Sequence, residues 1–303
     1  MRIGTRGSPL ALAQAGYVAG LLGAHPPAEL VTITTSGDRA SGVDKSRFID
    51  TIEQALLAGE IDLAVHSAKD VPGELAKGLA LLGAPARVDA EDVLCGVSSL
   101  EALAEGARVG TSSVRRAAQL RATREDLRVV AIGGNVDTRL RRLGEQGAED
   151  GLHAIVLARA GLQRLGRENE IGAVLDPVRF VPAPGQGVLA LEGRAGDAHA
   201  EEAVAAITDA DTFACLQAER AVASGLGASC HTPLGAHATP AGCGCLTLRA
   251  WVGLPDGSEW CSDELLGGFY DPEALGLRVA ERMQAAGAEE LLRRAEEMAV
   301  EHA

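Results

Sequence analysis

The chain of 303 residues is longer than one hydrophobic core usually organises, so two or three domains are the starting expectation. Its composition is globular, with 47% hydrophobic and 23% charged residues, and at 3% aromatic it holds too few rings to read nucleic acid by base stacking. A formal net charge of −14 repels polyanions and acidic membrane surfaces alike, so any acidic ligand must be gripped by a local cluster of cations.

Apolar strand-like runs alternate with helical patterns in the first half, which argues for an α/β sheet with helices on its faces. A helix is predicted over 9–22: Leu10, Ala13, Tyr17 and Leu21 recur on one face, Ser8 stands as N-cap and Pro9 takes the first helical position. Next come a strand over 30–35, a helix with Phe48, Ile52, Ala55 and Leu56 as its buried stripe, and a strand over 61–65. Beyond Gly83-Ala84-Pro85 the pattern restarts with a strand at 93–95 and a strand-to-helix unit opening at Val109. A second α/β domain is therefore expected over roughly 88–180, with strands at 129–132 and 154–157. Residues 180–187, rich in Pro and Gly, read as a crossover between domains. From residue 210 or so the character changes to a helix over 212–223, strands over 246–252 and 259–261 joined by the turn signal Pro255-Asp256-Gly257, and two closing helices over 272–286 and 288–301. That tail reads as a small α+β domain.

No apolar run is long enough to span a membrane, and the N-terminus enters patterned sequence without a charged-then-apolar signal. A cytoplasmic protein bound to neither nucleic acid nor membrane is expected. The cysteines (Cys95, Cys215, Cys230, Cys243, Cys245, Cys261) are too sparse for a disulfide framework, so reduced thiols are the default.

Three helix starts carry arginine: Thr5-Arg6-Gly7-Ser8-Pro9, Gly110-Thr111-Ser112-Ser113-Val114-Arg115-Arg116, and Gly134-Asn135-Val136-Asp137-Thr138-Arg139. A cation in the first turn is disfavoured by the helix dipole by roughly 0.3–1 kcal/mol unless an anion joins it. Free N–H groups there favour anions too. An arginine on a helix is most often a solvated side chain, but three such starts drawn from two domains point to a ligand with several anionic groups in an interdomain cleft. Neither Gly-x-x-x-x-Gly-Lys-Ser/Thr nor Gly-x-Gly-x-x-Gly after a strand is present, and Gly185-Gln186-Gly187 lacks the spacing, so a nucleotide fingerprint is missing.

Asp70, beside Lys69, sits where α/β sheets place ligands, past the carboxyl end of the 61–65 strand. It suits proton transfer or stabilisation of a developing cation, and equally a turn cap paired with lysine. His66 reads as a structural hydrogen-bonder. Cys230, in Gly227-Ala228-Ser229-Cys230-His231-Thr232-Pro233, is a thiol with room around it, either nucleophilic or inert. Cys243-Gly244-Cys245 is spaced too closely for the usual structural zinc pair and no second pair follows, so no metal is expected.

Taken together, Gly4 to Leu12, Val65-His66-Ser67-Ala68-Lys69-Asp70-Val71-Pro72, the three arginine-bearing helix starts, Ala160-Gly161-Leu162-Gln163-Arg164, Pro184-Gly185-Gln186-Gly187 and Cys230 to Gly235 resemble the porphobilinogen deaminase (hydroxymethylbilane synthase) family, in family order over nearly the whole chain. The resemblance implies two α/β domains like those of type II periplasmic binding proteins plus a small C-terminal α+β domain. Their expected extents are 1–87 with 183–205, 88–182, and 206–303. It implies a monomeric transferase of tetrapyrrole (haem) biosynthesis that joins four porphobilinogen molecules head to tail, with loss of ammonia, on a dipyrromethane cofactor held by thioether to Cys230, and then releases hydroxymethylbilane. It assigns Asp70 to catalysis, and Lys69, Ser8, Ser113, Arg115, Arg116 and Asp70 to the cofactor. Arg6, Arg139, Arg164, Phe48 and Gln186 it assigns to the substrate.

Two departures stand out. The family has Arg-Gly-Asn-Val where this chain has Gly133-Gly134-Asn135-Val136, which removes one carboxylate-binding arginine. The loop over 37–47 is shorter than usual and lacks the Gly-Gly-Lys-Gly-like run, leaving Lys45 and Arg47 as substitutes. These departures support the reading of a diverged relative with another pyrrole substrate or chain length; a non-catalytic anion-binding protein on the same scaffold is a separate alternative.

Overall fold

The computed structural model describes residues 1–23, 27–34, 49–144, 151–228 and 232–301. In chain order, β1 (Arg2–Thr5), α1 (Pro9–Leu22), β2 (Glu29–Thr32), α2 (Asp50–Leu57), β3 (Leu63–Ser67) and β4 (Leu79–Gly83) come first. They are followed by β5 (Asp92–Cys95), β6 (Arg108–Gly110), α3 (Val114–Thr123), β7 (Arg128–Val130), α4 (Val136–Gly144), β8 (Ala154–Ala158), α5 (Arg159–Arg164) and β9 (Ala173–Val174). The remainder is β10 (Leu189–Arg194), α6 (Ala198–Ala205), α7 (Ala210–Gly225), β11 (Leu234–Gly242), β12 (Cys245–Gly253), β13 (Trp260–Gly268), α8 (Pro272–Ala285) and α9 (Ala288–Glu301).

Helix α1 begins where capping chemistry requires. Ser8 is extended and its Oγ accepts the Ala11 N–H at 3.3 Å, while Pro9 opens the helix. Its buried face is not the expected stripe. Gln14, Ala15 and Val18 face inward, whereas Tyr17 and Leu21 are 47% and 41% exposed. The helix has two neighbours rather than one: Gln14 reaches into the first sheet to donate to Ser67 Oγ, while Leu10 borders Gly161 of α5.

Two sheets share one connectivity. Their orders are β2-β1-β3-β10-β4 and β7-β6-β8-β5-β9, and in each the fourth strand in space, β10 or β5, runs antiparallel to the other four. In the first, β10 returns from beyond the second sheet to pair between β3 and β4. The chain therefore crosses between sheets twice, after β4 and before β10, and the two crossings are stitched together. Val88 N–H donates to the Gly187 carbonyl at 3.3 Å and Arg87 Nε to the Gln186 carbonyl at 2.9 Å. Gly187 is needed there: its φ is +87°, and a Cβ would lie 2.4 Å from the Val88 oxygen.

The third unit packs α7, α8 and α9 on the antiparallel sheet β11-β12-β13, around Leu246, Leu248, Ala250 and Val252 from alternate positions of β12 and Val222, Leu275, Val279 and Met283 from the helices. Pro240 is tolerated because β11 is an edge strand. The fold class is the one expected, two α/β units and a smaller α+β unit.

Candidate active site

Strands β1 and β3 run parallel with Ile3 opposite Leu63 and Gly4 opposite Ala64, so Arg6 and the segment carrying Lys69 and Asp70 emerge at the same edge. Asp70 closes a 3-10 turn (Ala68–Asp70). That turn is fixed at both ends, since Ala68 N–H donates to Val188 at 3.0 Å and Val71 N–H donates to Ala68 at 3.1 Å. Gly185, at φ +72°, presses on it so closely that a Cβ would come within 2.8 Å of the Ala68 Cβ. Arg6, Lys69 and Asp70 are half-buried. Behind them His66 Nε2 lies 3.0 Å from Glu192 Oε2, both side chains buried, which gives the histidine a structural partner in β10.

At the second sheet's edge, Ser113 caps α3 by accepting the Arg116 N–H at 3.4 Å, and Asn135 Oδ1 accepts the Thr138 N–H at the start of α4 at 2.9 Å. The expected anion for Arg115 and Arg116 was a ligand; in the structure it is Asp92. Arg115 Nη1 donates to Asp92 Oδ2 at 2.7 Å and to the Val181 carbonyl at 2.8 Å, and Arg116 Nε donates to Asp92 Oδ1 at 2.9 Å. Burial alone would push the Asp92 carboxyl up, but the two guanidinium groups outweigh it and hold it well below the usual carboxylate range. Gln186, implied as a substrate contact, is placed in this cluster at 1% exposure. Its amide is spent on the Ala90 carbonyl, Asp92 and Arg116. Asp92 thus supplies within the protein an anion that the dipole argument looked for in a ligand.

Arg139 and Arg164 are disposed differently. Burial lowers the Arg139 pKa and Arg116 lowers it further, with the Asp70 carboxylate opposing both. Arg139 therefore feels Asp70 across the space between the two sheets. Arg164 donates to the Gly187 carbonyl at 2.8 Å, and burial pushes its pKa down to about 10, with Tyr17 of α1 opposing. Among the described residues neither guanidinium forms an ion pair within 4 Å. Two half-buried cations short of anions, with Asp70 acting on one of them, make a site suited to a ligand carrying several carboxylates.

Cys230 and Phe48 lie outside the described residues, as do Lys45 and Arg47. Among the described residues no group of three or more His, Cys, Asp or Glu is placed to hold a metal, and no helix is long and apolar enough to cross a membrane.

Sequence reasoning missed three buried charges that set this geometry. Asp92 opens an apolar strand, which was its signal. Glu192 sits in the Leu-Ala-Leu-Glu run of β10. Glu219 lies on the apolar face of α7, accepting from Arg87 at 2.6 Å, Gly185 N–H at 2.6 Å and Ala238 N–H at 2.8 Å, and so joins the crossings to the third unit. Burial pushes its carboxyl up, but Arg87 and then His237 outweigh that and hold it below its ordinary value.

Residues 1–202 match the family described as porphobilinogen deaminase, dipyromethane cofactor binding domain, and residues 213–285 match porphobilinogen deaminase, C-terminal domain. The chain is 44% identical to the porphobilinogen deaminase of Deinococcus deserti, covering 97% of this chain and 98% of that one. It is 46% identical to the porphobilinogen deaminase of Thermus thermophilus, covering 96% and 97%. Among solved structures, a periplasmic substrate-binding protein of an ABC transporter from Coxiella burnetii covers 68% of this chain, and 91% of its own, at 14% identity and a TM-score of 0.44. That likeness is too loose to bear on chemistry.

Proposed function

The chain belongs to the porphobilinogen deaminase family, and from the site's geometry we infer how its own residues serve that family's reaction. The protein is a transferase of tetrapyrrole biosynthesis that condenses porphobilinogen stepwise on a dipyrromethane cofactor. When bound, the cofactor supplies the pyrrole terminus to which substrate units are joined. The residues present fit such a group, because a chain of pyrroles bearing acetate and propionate side chains brings the carboxylates that Arg139 and Arg164 lack. Cys230 is our assignment for its covalent anchor.

We assign Arg6, Arg139 and Arg164 to the substrate's carboxylates, with Lys69 beside them as a further cation. Ser8 and Ser113 hold the helix starts in shape by capping, and Arg115 and Arg116 act from beneath, fixing α3 against β5 through Asp92. Asp70 stands where positive charge must pass. Its carboxylate steadies the substrate's aminomethyl group as the ammonium form departs as ammonia, and then the cation left on the pyrrole ring. A half-buried carboxylate in a cleft of low dielectric stabilises such charge far better than water does.

What carries this reading is the placement of Asp70 past the carboxyl end of β3, on a turn held by the Ala68 and Val71 backbone bonds, with the half-buried Arg139 of the other sheet near enough for the Asp70 carboxylate to raise its pKa. The test is ammonia release from porphobilinogen by Asp70→Asn and Asp70→Glu beside the wild type, with folding checked by circular dichroism. We expect Asp70→Asn to fold and to lose about two to four decades of turnover. Turnover within threefold of wild type would remove Asp70 from this role.

A further inference from the structure

Past Asp70 the chain leaves its 3-10 turn through Val71, Pro72 and Gly73, outside any strand or helix. Their carbonyls converge on one side chain. Arg220 Nη1 donates to Val71 at 3.3 Å, and its Nη2 donates to Pro72 at 2.7 Å and to Gly73 at 2.9 Å. Arg220 belongs to α7 of the third unit, so the clamp joins segments almost 150 residues apart in sequence. It is a costly means of gluing one domain to another. Burial disfavours the charge, with Glu192 of β10 in opposition, whereas apolar contact between α7 and this segment is already available through Leu216, Val71 and Ala68. What a planar guanidinium adds over apolar contact is direction, since it fixes the orientation of three successive carbonyls at once.

We propose that Arg220 is a positioning residue for Asp70: by holding the three carbonyls that follow it, Arg220 makes the placement of the carboxylate depend on how the third domain seats on the first. The inference rests on Asp70 being the catalytic acid. It distinguishes Arg220 from its neighbour Glu219, which points into the crossings instead. A lysine at 220 keeps the charge but offers one freely rotating nitrogen in place of the rigid planar fork whose two nitrogens hold the three carbonyls, so Arg220→Lys removes the positioning while sparing much of the electrostatics.

Arg220 also lines an open cavity of about 700 Å³ between the segment over 73–81 and helices α7 and α8, with Leu75, Lys77, Phe213 and Leu277 in its wall. A guanidinium ion from solution can therefore reach the space vacated in Arg220→Ala.

The experiment is steady-state turnover of porphobilinogen by the cofactor-loaded Arg220→Ala, Arg220→Lys and Asp70→Asn proteins, each with and without millimolar guanidinium chloride, with sodium chloride as the ionic control. Arg220→Ala is expected to lose about 10- to 100-fold in kcat with KM nearly unchanged. Guanidinium, but not sodium, should restore a substantial part of that kcat, and should do nothing for Asp70→Asn. Should Arg220→Ala not fold, Arg220→Lys decides the matter, with a lowered kcat at an unchanged KM and melting temperature supporting the proposal. Wild-type kcat in either folded Arg220 variant, or an Arg220→Ala loss that guanidinium leaves untouched, overturns it. An active Asp70→Asn sinks the Asp70 assignment instead, whatever the Arg220 variants do.

Discussion

Replacing Asp92 by asparagine removes the one charge shared by two buried guanidinium groups while keeping the shape of the side chain. Asp92 is 0% exposed, with Arg115 at 3% and Arg116 at 6%, so water cannot take over the lost contacts. Removing one partner of a buried pair typically costs about 3–5 kcal/mol, because the charge left behind is neither solvated nor paired. Here two cations are left behind, so the upper part of that range is expected, against a total stability of about 5–15 kcal/mol for a folded domain. The assay is urea denaturation at neutral pH followed by circular dichroism, together with thermal unfolding, where the midpoint should fall by on the order of 10 °C. The pH dependence has a definite sign. The folded-state pKa of Asp92 is depressed, so its contribution is fully present above the unfolded value of about 3.9 and is lost as pH falls through the folded value. Asp92→Asn should therefore be least stable relative to wild type at neutral pH, and the difference should narrow in acid. A loss under about 1 kcal/mol, or a difference that does not narrow below pH 4, would refute this view of the cluster.

Glu219→Gln should destabilise by about 3 kcal/mol, measured by urea denaturation, because Arg87 would then be half-buried without its carboxylate. Gly257→Ala should cost about 1–3 kcal/mol and loosen the docking of the third unit on α3, since Gly257 has φ +77° and a Cβ there would meet the Ala122 nitrogen at 2.4 Å; limited proteolysis of the 254–258 turn reads the loosening. Gly133→Arg should leave stability within about 0.5 kcal/mol of wild type, because a Cβ at Gly133 meets nothing within 4 Å. If the missing arginine is a carboxylate contact, that variant should lower KM for porphobilinogen by about one to two decades, and an unchanged KM would show that the contact is made elsewhere.

Much of the local grammar was legible in the sequence because it rests on short-range chemistry. Ser8 caps the helix it was expected to cap and Pro9 opens it, and Ser113 and Asn135 cap the other two arginine-bearing helix starts, since the bonds they make span only a few residues. The position of Asp70 past a buried strand was legible for the same reason. What stayed hidden depends on partners far apart in sequence. The family resemblance returns residues 183–205 to the first domain, but the residues around Leu189 do not themselves announce that β10 pairs between β3 and β4. Arg115 and Arg116 read as ligand-facing until Asp92, over twenty residues earlier, is seen beneath them. The stripe of Leu10, Tyr17 and Leu21 misled because periodicity shows an apolar face but not which of two neighbours it meets.

The most direct test of a polycarboxylate pyrrole chain anchored at Cys230 and extended beside Asp70 is the intact mass of the purified protein before and after brief mixing with porphobilinogen. Wild type should exceed its sequence mass by a two-pyrrole adduct that Cys230→Ser lacks, and mixing should add further single pyrrole units in steps. A correctly folded wild type at its bare sequence mass, consuming no porphobilinogen, would contradict it.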